Sequence, residues 1–334
     1  MRSMTSFLMA SCAGVVAISA VAETIEVSYD LPTFDRWAYL YNGTPGVRGS
    51  APVFGAVGTP VFDERDGQML IGFSTGVEIP AGLGAASYRV ISATVTVMAA
   101  TDNAFTYDPT VDEWVSYQSG ATDADAGRPL ELFAAGFRGG FDGWTFGEDG
   151  PLPFGAPRYG RNVFAMGRDA TGAWVDVSNS VTQEWTPTPL AIGQTDDVLP
   201  GESVPSETTL TFEIDIEEAG CLLPVALNDG LVEFILAPLH EAQQPLAVTY
   251  PEMYLKEHPM VEYDLAEAAR LTMMVEVTTG SGVVGDLTGD GVVGVQDLLV
   301  ILDAWGACGC CAADLDGDEV VGIQDLLIIL DHWG

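Results

Sequence analysis

The C-terminal part of the chain is written twice. Residues 286–306 (DLTGDGVVGVQDLLVILDAWG) and 314–334 (DLDGDEVVGIQDLLIILDHWG) differ at five of 21 positions, two of them Val to Ile, with a period of 28 residues. Copies this similar must fold as two examples of one supersecondary unit that stack on each other. In the first copy Val295, Leu298, Leu299, Leu302 and Trp305 recur at helical spacing, and in the second Ile323, Leu326, Leu327, Leu330 and Trp333 do the same. This periodicity predicts an amphipathic helix in each copy, with the two apolar faces packed together.

Each copy opens with oxygen-bearing side chains at loop positions 1, 3, 5 and 12. These are Asp286, Thr288, Asp290 and Asp297, then Asp314, Asp316, Asp318 and Asp325. A calcium ion takes six to eight oxygens at about 2.3–2.6 Å, and a loop with this spacing supplies them together with the carbonyl of position 7. The position 7 residues here are Val292 and Val320. Residues 286–334 carry ten acidic and no lysine or arginine residues, a charge that repels itself unless cations bind. Two Ca2+ ions are the expected cofactors.

Paired loops of this kind, each followed but not preceded by a helix, resemble a type I dockerin over about 49 residues. The resemblance implies a small all-α, non-catalytic module folded by calcium. It also implies a cohesin-like partner domain, commonly one that attaches polysaccharide-degrading enzymes or carbohydrate-binding proteins to a scaffold or cell surface. Positions 10 and 11, which help choose the partner in that family, are Val295-Gln296 and Ile323-Gln324 in place of a Ser-Thr pair. Position 9 is Gly294 or Gly322, which implies a water in that ligand place. Position 6 of the second loop is Glu319 where the first has Gly291, and a left-handed backbone there costs about 1–2 kcal/mol. The second site is therefore expected to be no tighter than the first.

Cys308, Cys310 and Cys311 lie between the copies. Zinc is one reading, with Cys221 or His332 as a further ligand. A disulfide is favoured, with Cys308 to Cys311 the chosen pairing because two intervening residues permit a short bridge. The N-terminus points to an oxidising compartment: Arg2, an apolar stretch from Phe7 to Val21 and the small-residue pattern Ala20-Val21-Ala22 predict a secretory signal peptide over residues 1–22. The protein is expected to be secreted, at the cell surface or periplasmic, with no transmembrane segment in the mature chain. With 48 acidic against 12 basic residues and a net charge of −36, the chain offers no surface for nucleic acid or an anionic membrane.

Residues 23–279 read as a mainly β body, joined by a linker at 280–285 to the repeats. Apolar residues alternate through 91–97 (ISATVTV), 210–216 (LTFEIDI) and 271–277 (LTMMVEV), between stretches rich in Gly, Pro, Asp and Asn. Half-buried antiparallel strands follow from that pattern, in a β-sandwich or jelly roll, with a short helix candidate at 264–270. The segments 62–73 (FDERDGQMLIGF), Ile79-Pro80 and 91–97 are similar to the opening of DNRLRE-type carbohydrate-binding jelly rolls in secreted planctomycete-type proteins. That resemblance implies fold and location.

No HExxH or GxxxxGK motif is present and the GxSxG match at 72–76 (GFSTG) is not read as a nucleophile elbow, so serine hydrolase, zinc protease and nucleotide chemistry are not expected. A carboxylate pair of a glycoside hydrolase or polysaccharide lyase has no sequence signature, so catalytic residues are unassigned. Trp37, Trp114, Trp144, Trp174 and Trp185 are candidates for stacking on sugar, Trp114 being the least core-like by its polar neighbours; the loop at 107–114 is an alternative calcium binder. The leading expectation is a secreted, non-catalytic protein attached through its dockerin, with polysaccharide as a candidate ligand. A hydrolase or lyase and a structural surface protein are the alternatives.

Overall fold

The computed structural model describes residues 21–39, 47–60, 62–118, 124–148, 162–241, 250–279, 283–308, 310–315 and 320–334. The proposed signal segment up to residue 20, residues 280–282 of the linker, and Asp316, Asp318 and Glu319 of the second loop lie outside them. The chain separates into two compact units, one spanning Glu23–Val277 and the other holding the described residues of Thr278–Gly334.

The larger unit is mainly β. One sheet is ordered Val21–Tyr29, Arg270–Thr279, Tyr88–Met98, Thr209–Glu213. Tyr88–Met98 pairs antiparallel with both its neighbours. A second, larger sheet is ordered Phe34–Ala38, Arg65–Ser74, Leu231–Leu236, Glu131–Phe137, Val163–Arg168, Trp174–Asp176, and the pairs along it are antiparallel.

Inward residues of both sheets make one core. Val95, Val97, Leu271, Met273, Leu210 and Phe212 from the first join Met69, Ile71, Phe73, Val232, Phe234 and Leu236 from the second. The opposite face of the larger sheet carries its own apolar cluster, with Leu70, Phe133, Ile235, Val163, Ala165 and Phe146. Arg65–Ser74 is therefore buried on both faces, which is why its sequence does not alternate.

The three alternating segments are strands, with two differences at their ends. Ile91 is 40 % exposed although its alternation with Ala93, Val95 and Val97 points it inward. The ladder shifts register here: Ser92 faces Met274 while Val90 faces Val275, so Ile91 is the extra residue of a β-bulge. The second of these, Thr209–Glu213, stops before Ile216 because Asp215 accepts the amides of Glu217 and Glu218 and caps the short helix Ile216–Ala219. The helix expected at 264–270 is absent. Asp264 takes a left-handed backbone (φ +54°) after the helical turn Pro259–Glu262, and Arg270 already begins a strand.

Among the described residues of this unit the longest helix is Leu222–Asp229, which ends at Gly230 with φ +76°. A glycine adopts that left-handed stop without the Cβ penalty other residues meet.

Within the smaller unit the two repeats form helices Val295–Asp303 and Ile323–Asp331. Two-residue strands, Gly306–Ala307 and Val320–Val321, pair antiparallel. Val293, Ile301, Ala313, Val321 and Ile329 form the core, with Leu298 and Leu326 packed at its edge. Cys308 and Cys311 are joined by a disulfide. Among the described residues, no helix is long and apolar enough to cross a membrane.

Candidate functional site

The first acidic loop is organised by its own carboxylates. Asp286 accepts the amides of Asp290 at 3.1 Å and Gly291 at 2.8 Å, one on each oxygen. Asp290 accepts the Val292 amide at 2.9 Å. Gly291 has φ +86°, the left-handed turn expected at position 6. These bonds wrap residues 286–292 around their own acidic side chains, as a cation-binding loop requires.

Asp297 closes the loop from the helix. Its Oδ1 accepts the Thr288 amide at 2.9 Å and the Thr288 hydroxyl at 3.0 Å, and its Oδ2 accepts the Gly294 amide at 2.7 Å. Burial works against the Asp297 carboxylate, but these donors outweigh it and hold the group below the usual carboxylate range. Asp325 plays the same part in the second repeat. It is fully buried, its Oδ2 accepts the Gly322 amide at 2.7 Å and its Oδ1 the Leu315 amide at 2.6 Å.

The donor set fits a hard cation. Carboxylates, a hydroxyl and the backbone carbonyl of an exposed Val292 are all oxygen donors. Asp286, Thr288, Asp290, Val292 and Asp297 would hold the first ion. Asp314, Val320 and Asp325 are the described members of the second set, and Val320 sits on the strand paired with Gly306–Ala307. The described carboxylates that converge in threes within 4.8 Å lie elsewhere, at Asp35, Glu148, Glu257 and at Asp108, Asp112, Asp125.

The helices do not pack through the face that their periodicity predicts. Val295, Leu299, Leu302 and Trp305 are exposed, as are Ile323, Leu327, Leu330 and Trp333, while Ile301 and Ile329 are fully buried. Asp297 explains the rotation. Its carboxylate must face the loop to receive the Thr288 and Gly294 amides, and at 100° per residue Val295, Leu299 and Leu302 then lie about 140–160° around the helix from it. Each helix is apolar on more of its surface than the module can bury.

Gln296 and Gln324, at position 11, are exposed beside Val295 and Ile323 at position 10. Both repeats thus present the same solvent face: Val-Gln or Ile-Gln, followed one turn on by leucines.

In the larger unit, one carboxylate cluster among the described residues is a charge network around the chain's single lysine. Lys256 Nζ pairs with Glu148, with Glu257 at 3.0 Å and with Asp35 at 3.6 Å. The Lys256 amide also donates to Asp35 Oδ2 at 3.0 Å. Burial pushes the Asp35 carboxyl up to about 8 against the pull of Lys256.

A polar cleft of about 580 Å3 is lined by residues that include Glu64, Arg128 and Glu241. Glu64 is already committed there, accepting the Val181 and Thr182 amides at 2.8 Å each. Of the tryptophans, Trp37 is buried and stacked on Tyr39, Trp114, Trp174 and Trp185 are half-buried, and Trp144 is 55 % exposed. Trp144, on a short helix capped by Asp142, is therefore the least core-like, in place of Trp114.

No family model, no curated protein and no solved structure matches the chain.

Proposed function

We propose that the protein is a secreted, non-catalytic β-protein whose C-terminal repeats form a calcium-folded dockerin, holding a jelly-roll body to a cohesin-like domain in an extracellular or cell-surface complex. One observation carries this reading: two near-identical helices each leave Val295-Leu299-Leu302 or Ile323-Leu327-Leu330 in solvent. Contiguous apolar surface of this kind marks an interaction site. Bound calcium would neutralise the loop carboxylates and fix the loops from which the two helices start. Polysaccharide is the candidate ligand of the body, and the exposed ring of Trp144 suits stacking on a sugar.

The test is retention of the full chain on immobilised cohesin-type domains with calcium and with chelator. Calcium-dependent retention that Asp297→Ala with Asp325→Ala abolishes is the expected result. Equal retention in chelator, or none on any cohesin-type domain, contradicts the reading.

The Asp35, Glu148 and Glu257 cluster favours a second reading, a polysaccharide hydrolase or lyase in which Asp35 carries a proton near neutral pH. Release of reducing sugar or unsaturated product, lost in Asp35→Asn, would support it.

A further inference from the structure

A third set of oxygen donors lies in the larger unit. Asp108-Pro109-Thr110-Val111-Asp112 repeats the acid, Thr, acid spacing of Asp286-Leu287-Thr288-Gly289-Asp290. Asp125 joins it from across the loop, and one carboxylate oxygen each of Asp108, Asp112 and Asp125 lie within 4.8 Å of one another. Oxygens bound to one calcium at about 2.3–2.6 Å can be no further apart than about 4.6–5.2 Å, so the trio already meets that limit.

Asp108 supplies the observation that points to a ligand. It is 3 % exposed, and its Oδ2 is buried without a hydrogen-bond partner among the described residues. Its Oδ1 is used locally, accepting the Thr110 amide at 2.9 Å and hydroxyl at 2.7 Å. A buried carboxylate oxygen with no donor is costly, and a cation removes that cost.

The fold brings the two segments together deliberately closely. Thr110 Oγ1 also reaches Asp125 Oδ2 at 2.9 Å. A Cβ at Gly127, whose φ is +112°, would stand 2.9 Å from the Thr106 carbonyl oxygen and 3.0 Å from Asp108 Cβ. Only glycine lets the 125–127 backbone press against Asp108 in this way. Arg128 pairs with Asp112 at 2.7 Å and also binds the Ser116 hydroxyl and carbonyl.

We propose that Asp108, Asp112 and Asp125, with Thr110, form a calcium site that ties the 108–112 turn to residues 125–128. The site is independent of the two C-terminal loops.

Calcium stoichiometry of the full chain by calorimetry tests it. In the Asp297→Ala, Asp325→Ala background one ion should remain bound, and adding Asp125→Asn, at an exposed position, should weaken that ion at least tenfold. Asp108→Asn should abolish it. Terbium added to the same background should emit under aromatic excitation, because Tyr107 adjoins Asp108, and calcium should quench the signal; this reading needs no change in the larger unit. No calcium binding into the millimolar range in the Asp297→Ala, Asp325→Ala background, or an affinity unmoved by Asp125→Asn, overturns the proposal.

Discussion

The Gly334 amide donates to the Val293 carbonyl at 3.1 Å, and 28 residues earlier Gly306 pairs with Val321. Each repeat therefore ends on the loop of the other. This reciprocal exchange is the backbone form of the sequence duplication, and it gives the two helices equivalent surroundings: buried Val293 and Ile301 in one match buried Val321 and Ile329 in the other. It also leaves two equivalent outer faces.

Those faces predict a separation of stability from binding. Leu299→Ser together with Leu327→Ser should change the unfolding free energy by no more than about 0.5 kcal/mol per site, because both side chains are already exposed. Ile301→Ala or Ile329→Ala removes a fully buried side chain and should cost about 2–5 kcal/mol. Thermal melts of the calcium-loaded chain distinguish the two classes. Partner retention should follow the leucines.

The helix rotation behind that prediction was not legible in the sequence. The spacing of oxygen-bearing side chains at positions 1, 3, 5 and 12 was visible as a pattern, and so were the alternating strands at 210–213 and 271–277. The helices were harder: VQDLLVILD is apolar on most sides, and hydrophobic periodicity cannot choose a face until Asp297 is known to point at the loop. Ile91 escaped for a related reason, since a one-residue bulge reverses the phase that alternation reads. The Asp108, Asp112 and Asp125 cluster needed the structure, because Asp125 is brought in by a turn at Gly127 that no spacing rule encodes.

A buried ion pair gives a second prediction. Arg65 Nη1 binds Glu131 and the Ala237 carbonyl at 2.8 Å, with its guanidinium 4.8 Å from the Phe133 ring centroid, and both charged side chains are almost wholly buried. Arg65→Met alone leaves the Glu131 charge without its partner and should cost about 3–5 kcal/mol. Adding Glu131→Leu should recover part of that loss. Urea unfolding of both variants measures the difference.

Glu233 predicts a pH dependence. Burial, reinforced by the nearby Asp142 charge, pushes its carboxyl from 4.5 up to about 8. The folded-state value lies above the unfolded one, so the native state binds the extra proton. Its contribution is complete below about pH 4.5 and is lost as pH rises to about 8. Glu233→Gln, which cannot ionise, should flatten this part of the stability profile. Chemical denaturation of wild type and variant at several pH values from 5 to 9 should show the two curves diverging upward through neutrality, with the variant the more stable at the alkaline end.

The central claim is that calcium folds the repeated module, and hydrogen exchange of the full chain with and without calcium tests it most directly. Calcium should slow exchange throughout 286–334, most strongly at the helix amides of 297–303 and 325–331, and Asp297→Ala with Asp325→Ala should remove that protection while leaving exchange in 23–277 as it was. Exchange in 286–334 that is the same with calcium and with chelator would contradict the account.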